Sequence, residues 1–175
     1  MMAAALTLMR LKETRRLYLY DTFEGMTPPT EVDVDFNGRP ASDLLALDER
    51  RADRRNLWGY APLEMVRAAM QSTGYDMDQV RFVRGPVEET IPLTMPDDIA
   101  ILRLDTDWYS STRHELEHLF PLVSPGGVLI IDDYGHYAGA RKATEEYIQG
   151  NRIPLFLCRI DFGSRIAVKP SLAKV

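Results

Sequence analysis

Cysteine is nearly absent from this 175-residue chain. The one thiol, Cys158, cannot form an internal disulfide, and its place in the apolar run Pro154 to Ile160 predicts a buried structural thiol rather than a nucleophile. Such cysteine usage suits a reducing, cytoplasmic interior. Positive charge is short as well. Lys+Arg 21 against Asp+Glu 26 leaves a net charge of -5, which argues against a nucleic-acid or anionic-membrane partner. No apolar run is long enough to cross a bilayer. The opening Met1-Met2-Ala3-Ala4-Ala5-Leu6-Thr7-Leu8-Met9 is too short and has no basic segment before it, so it is no signal peptide; its strong helix formers predict a helix without an N-cap. The G-x-S-x-G elbow of Ser hydrolases and a Gly-rich phosphate cradle are both missing, and no internal repeat stands out.

What is present is a chain of one-domain length with 45% hydrophobic residues, ample for a core. Leu17 to Tyr20 reads as a strand ending at Asp21. Residues 26–59 are polar and too long for a plain connection; they predict a partly helical lid or binding loop, with Asp48 to Arg55 as a charged surface face. Pro62 opens a helix through Ser72, with Leu63, Val66, Ala69 and Met70 on one face and Gly74 as its stop. Val80 to Val83 is a strand ending near Gly85, followed by the loop Pro86-Val87-Glu88. Thr112-Arg113-His114-Glu115 predicts a capping box for a helix reaching Val123. Ala138 to Ile148 is another helix, and Leu155 to Ile160 with Arg165 to Val168 form an antiparallel pair around Phe162-Gly163. Strands alternating with helices, then a terminal hairpin, describe an α/β doubly wound sheet.

Two of the hydrophobic runs stop on acid. Ile99 to Leu104 ends at Asp105, and Val128 to Ile131 ends at Asp132-Asp133. β-branched runs of this kind read as strands buried on both faces of a parallel sheet, whose ligand crevice lies beyond the carboxyl ends. Three carboxylates thus reach one rim, where like charges cost energy unless something positive sits between them. Oxygen-only ligands suit a hard divalent ion, Mg²⁺ before Zn²⁺.

Two further motifs compete with that reading. His114-Glu115-Leu116-Glu117-His118 spells H-E-x-x-H, the zincin signature. With Leu116, Leu119, Phe120 and Val123 as the buried stripe, both histidines point towards solvent, and the motif reads as coincidence. Asp105-Thr106-Asp107 is a D-x-D, the triplet with which some glycosyltransferases hold a metal, and leaves a metal-dependent glycosyltransferase as a weaker alternative. Asp21, at a strand end, is placed as a ribose-binding acid would be in a Rossmann-like fold.

Leu19-Tyr20-Asp21-Thr22-Phe23-Glu24-Gly25-Met26, Leu102 through Asp105-Thr106-Asp107-Trp108-Tyr109, and Ser124-Pro125-Gly126-Gly127 through Asp132-Asp133-Tyr134-Gly135-His136 resemble the macrocin O-methyltransferase family. The resemblance runs from the first helix to the carboxyl end. It implies a single methyltransferase-like domain over residues 1–175, with a Rossmann-like class I methyltransferase sheet and a terminal antiparallel hairpin. It implies an S-adenosylmethionine- and Mg²⁺-dependent enzyme that methylates a sugar hydroxyl on a small-molecule glycoside. Asp105, Asp132 and Asp133 would be the metal ligands. Asp105 would also be the base, with His136 second because a metal-bound carboxylate is weakly basic. Asp21 would take the cofactor ribose, with Gly85 to Glu88 near the adenine side. The family's upstream strand and Gly-rich loop have no counterpart here, which leaves a non-catalytic remnant or interaction module as the alternative. The acceptor and the oligomeric state, a homo-oligomer included, stay open.

Overall fold

The computed structural model describes residues 1–48 and 57–171. In chain order its elements are α1 (Met2–Leu11), β1 (Leu17–Asp21), α2 (Ala41–Ala46), α3 (Leu63–Gln71), β2 (Val80–Arg84), α4 (Val87–Thr90), β3 (Ile99–Leu104), α5 (Tyr109–His118), β4 (Val123–Ile131), α6 (Ala138–Gly150), β5 (Cys158–Arg159) and β6 (Arg165–Val168). The chain divides into two compact units, one of residues 1–27 and 48–86 and the other of residues 28–47 and 87–175. Of the charged run Asp48 to Arg55, all but Asp48 lies outside the described residues.

In the first unit β1 and β2 run parallel, with Leu17 opposite Val80 and Asp21 opposite Arg84. Alternation puts Leu17 and Leu19 inside, where they meet Ala5, Met70, Tyr75 and Val80. α3 starts where expected, after Pro62, and Gly74 turns the chain out of it with φ 77°. Tyr75 is the polar member of this core. Its hydroxyl donates to the Arg15 carbonyl at 2.5 Å and accepts the Arg15 N–H at 2.9 Å, which ties the entry of β1 to the end of the α3 turn.

In the second unit the sheet order is β3-β4-β6-β5. β3 and β4 are parallel, with Leu104 opposite Ile131. β4 with β6 and β6 with β5 are antiparallel, as the terminal hairpin required. Among the described strands β1 and β3 each carry a ladder on one edge alone. Leu102, Leu104, Leu129 and Ile131 are buried in the sheet. Ala140, Ala143, Thr144 and Tyr147 of α6 are buried too, with the Phe120 and Tyr147 rings edge to face at 5.8 Å.

Four local expectations change. The capping box does not form, because α5 begins at Tyr109, three residues before Thr112, and both Thr112 and Glu115 are buried inside it. That helix ends at His118 rather than Val123; a short 3₁₀ turn, Phe120–Leu122, contains Pro121, which has no N–H to continue the α-helical ladder. Val87 and Glu88 start a short helix rather than a loop. Cys158 is exposed, since its two-residue strand closes the sheet edge and Phe156 beside it is also open to water.

Replacing Tyr75 with Phe strands the Arg15 N–H and C=O at once. An ordinary hydrogen bond contributes about 0.5–1.5 kcal/mol, and these two are partly buried, so urea denaturation should show Tyr75→Phe destabilised by that order with an unchanged slope. A midpoint equal to that of the unaltered chain would mean that water replaces the hydroxyl.

Candidate active site

The parallel pairing of β3 with β4 decides what meets at the rim. Leu104 faces Ile131 across the ladder, and the Asp132 N–H donates to the Leu104 carbonyl at 3.0 Å. Asp105 and Asp132 are therefore neighbours by register, with Asp133 one residue on. The positive charge between the first two is a side chain. Arg103 points off β3 on the same face as Asp105; its Nη1 donates to Asp105 Oδ2 at 2.5 Å and its Nη2 to Asp132 Oδ2 at 2.5 Å. Asp132 Oδ1 accepts from the Ser164 hydroxyl at 2.8 Å, across from β6.

A fourth carboxylate joins them. Asp107 sits in the turn after β3 with φ 64°, a left-handed conformation uncommon outside glycine. Burial, then the nearby Asp133 carboxylate, pushes Asp107 well above the usual carboxylate range. Asp133 is raised chiefly by burial, and its Oδ2 is buried with no hydrogen-bond partner among the described residues. Partial burial and then the adjoining Asp132 raise Asp105 to about 7, against the pull of Arg103. Burial would raise Asp132 too, but hydrogen bonds from Asp105, Ser164 and Arg103 outweigh it and leave Asp132 low. Asp105 and Asp132 thus share their proton unequally.

His136 is half exposed, with Nδ1 3.9 Å from Asp133 Oδ1 and its ring edge to face with Phe162. The hairpin turn holds it there. A Cβ on Gly163 would lie 2.4 Å from the His136 ring, and the Gly135 N–H donates to the Gly163 carbonyl at 2.8 Å. Only glycine allows this approach.

The remaining expected residues fall in two places. Asp21 and Gly85 belong to the first unit, where the Gly85 N–H donates to the Asp21 carbonyl at 3.0 Å and Asp21 Oδ1 accepts the Phe23 N–H at 2.6 Å. Glu88 belongs to the second, where its Oε1 accepts from the Ser111 hydroxyl at 2.7 Å. The H-E-x-x-H histidines do not face open water. Both are half-buried; His114 Nε2 is 2.8 Å from the Ile91 carbonyl and His118 Nδ1 2.8 Å from the His114 carbonyl. The acid between them is buried in the opposite sense, facing the rim strand, where the Thr106 hydroxyl donates to Glu115 Oε2 at 2.8 Å.

For a divalent ion the donors fit by kind. All are carboxylate oxygens, and the Asp133 oxygen lacks a donor, as a metal ligand would. Their placement is that of an Arg103-neutralised rim: among the described residues no three His, Cys, Asp or Glu side chains stand together as a metal-binding group. Arg103 and Ser164 were not among the residues expected from the sequence, while Asp107 figured there in the D-x-D triplet and Gly163 in the hairpin turn. Arg103 had a signal there, standing two residues before Asp105 on one strand face.

The fold is that of an α/β methyltransferase. The O-methyltransferase NovP is 30% identical in sequence with a TM-score of 0.76, covering 97% of this chain and 69% of that one. The profile of the macrocin O-methyltransferase (TylF) family matches residues 1–166, and the chain belongs to that family. It is 41% identical to an 8-demethyl-8-(2,3-dimethoxy-alpha-L-rhamnosyl)-tetracenomycin-C 4'-O-methyltransferase of Streptomyces olivaceus, over 76% of this chain and 47% of the relative. It is 35% identical to demethyldecarbamoylnovobiocin O-methyltransferase of Streptomyces niveus, with the same coverage, 76% and 47%. The chain spans about half the length of the curated relatives it matches.

Burial raises Glu115 from 4.5 to about 8. The unfolded chain releases this proton near pH 4.5 and the folded chain keeps it to about 8, so stability falls as pH rises through that window. At about 1.4 kcal/mol for each pH unit the window spans, the loss is on the order of 5 kcal/mol. Glu115→Gln, which still accepts from Thr106, should remove this slope, gaining stability over the unaltered chain at pH 8–9 but not at pH 4. Parallel stability–pH curves for the two proteins would contradict a protonated Glu115.

Proposed function

We propose that this chain carries the catalytic rim of an S-adenosylmethionine-dependent O-methyltransferase that uses Mg²⁺ and acts on a sugar hydroxyl of a small-molecule glycoside. The observation that supports the reading is that Asp105 and Asp132 follow the paired ends of two parallel strands, with Asp133 the next residue in the chain. The family supports methyl transfer, and the relatives support the acceptor class, since one of them is named for a rhamnosyl group.

A sugar hydroxyl is a poor nucleophile at neutral pH, so the site must remove its proton as the carbon–oxygen bond forms. Mg²⁺ held by Asp105, Asp132 and Asp133 would supply the charge that lowers the hydroxyl pKa. The methyl group comes from the sulfonium of S-adenosylmethionine, whose sulfur keeps the electron pair of the broken bond. Asp105 is the first candidate to take the proton, because it closes β3 beside Asp132. His136, on the exposed side of Asp133, is the second. Ser164 and the hairpin turn hold Asp132 and His136 in place, so that positioning, which carries much of such a rate, resides in the protein. Asp21 at the end of β1 is the residue proposed for the cofactor ribose, with Gly85 of the same unit near the adenine side.

The test is transfer of labelled methyl from S-adenosylmethionine to a panel of rhamnosides. Asp105→Asn should lower turnover by about 10²–10⁴, whereas His114→Ala, which loses a bond to the Ile91 carbonyl, should lower the melting temperature and leave the turnover of folded protein within about threefold. Full activity of Asp105→Asn with loss in His114→Ala would overturn this assignment.

A further inference from the structure

The stretch 30–40, read from sequence as part of a lid, holds a carboxylate that the proposed chemistry does not use. Asp33 is wholly buried. Its Oδ1 accepts the Tyr109 N–H at 2.7 Å, and its Oδ2 accepts both the N–H and the hydroxyl of Thr30 at 2.7 Å. A buried carboxylate is costly without such donors, and the N-terminus of α5 is where the helix dipole favours negative charge. Trp108, the residue ahead of α5, offers no side-chain cap, so Asp33 supplies it from 76 residues upstream. The next residue serves the other helix. The Val34 carbonyl accepts the Ala138 N–H at 2.9 Å, at the start of α6, and Asp35 forms a bridge with Tyr137. Asp35 is itself pinned by the Asn37 and Arg39 N–H groups and by the Arg39 guanidinium.

Gly139 is shaped to this contact. A Cβ there would lie 1.9 Å from Asp33 Oδ1 and 3.0 Å from the Tyr109 nitrogen, the second of which is backbone and cannot swing away. Three consecutive residues therefore hold the first turns of the two helices that leave the acidic strand ends. Between Asp105 and α5 there is only the Thr106-Asp107-Trp108 turn, with Asp107 in its left-handed conformation and Trp108 buried against the Tyr137 ring at 5.0 Å.

We propose that Asp33 is a positioning residue for the carboxylate rim: through the Tyr109 N–H it fixes where the Asp105–Asp107 turn ends, and with Val34 it locks α5 to α6, so that this stretch is a clamp rather than a lid. The proposal rests on the reading of the rim as the reaction centre. Supporting groups of this kind typically change metal affinity or activity about 10–100-fold when removed.

The test uses Mn²⁺ as probe, its affinity measured by electron paramagnetic resonance, with amide hydrogen exchange on the same proteins. Asp33→Ala should weaken Mn²⁺ about 10–100-fold and speed exchange at Tyr109 about tenfold or more, while amides inside β4 keep their protection. Asp33→Asn keeps an oxygen for Tyr109 but turns a donor towards Thr30, so it should fall between the unaltered chain and Asp33→Ala. Gly139→Ala should mimic Asp33→Ala, and the double variant should lose less than the sum of the two, because the shortened side chain at position 33 removes the 1.9 Å clash and leaves only the 3.0 Å approach to the Tyr109 nitrogen. Unaltered Mn²⁺ affinity and Tyr109 protection in Asp33→Ala, or strict additivity of the two substitutions, would overturn the clamp. If the unaltered chain binds no Mn²⁺, the metal reading is what has failed; Tyr109 and Trp108 exchange then decides alone, faster exchange in Asp33→Ala supporting the clamp and equal exchange overturning it.

Discussion

Four carboxylates at the ends of two hydrogen-bonded strands repel one another, and the second unit is organised around that constraint. The register of β3 with β4 leaves no choice about Asp105 and Asp132: opposite Leu104 and Ile131 the ladder closes, and the next residue on each strand is acidic. Burial and repulsion from a neighbouring carboxylate both raise a carboxyl pKa, whereas donated hydrogen bonds and a nearby cation lower it. Here burial foremost, with the neighbouring carboxylates, raises Asp105, Asp107 and Asp133, while hydrogen bonds from Asp105, Ser164 and Arg103 outweigh burial and hold Asp132 low. Arg103 answers the charge on one side. On the other side Asp107 and Asp133 face each other, and one buried Asp133 oxygen has no donor among the described residues.

The surrounding elements keep this charge from pushing the strand ends apart. β6 brings Ser164 to Asp132 from across the sheet, and the hairpin turn closes over His136 through two glycine contacts. Below the rim, Glu115 takes the Thr106 hydroxyl, and a neutral acid there adds no fifth charge. Each of these groups touches the segment 103–107 or 132–136 directly. Any change at the rim, whether a proton, a cation or an acceptor hydroxyl, is felt by all of them together.

The strands, their parallel pairing and the acids at their ends were legible because each rests on local pattern: apolar runs of strand length closed by Asp. So was the terminal hairpin. What could not be read were contacts made by distant residues. The Tyr109 N–H at the start of α5 donates to Asp33, a residue distant in sequence, so the local capping signal at Thr112 pointed to the wrong residue. The H-E-x-x-H histidines were set aside as solvated, yet they cap carbonyls of Ile91 and of α5 itself, and the acid between them is buried. Cys158 sat in an apolar run that the fold uses as an open edge. Arg103 is legible from strand geometry, since residues two apart share a face and it stands two before Asp105.

We propose that Asp105, Asp132 and Asp133 would hold one cation at this rim, in competition with Arg103, which bridges Asp105 and Asp132. Calorimetric titration of Mn²⁺ into the unaltered chain and into Arg103→Gln tests it most directly. The account predicts a single stoichiometric site in both, with tighter binding in Arg103→Gln because the competing guanidinium is gone. Absence of binding in both proteins, or weaker binding in Arg103→Gln, would contradict it.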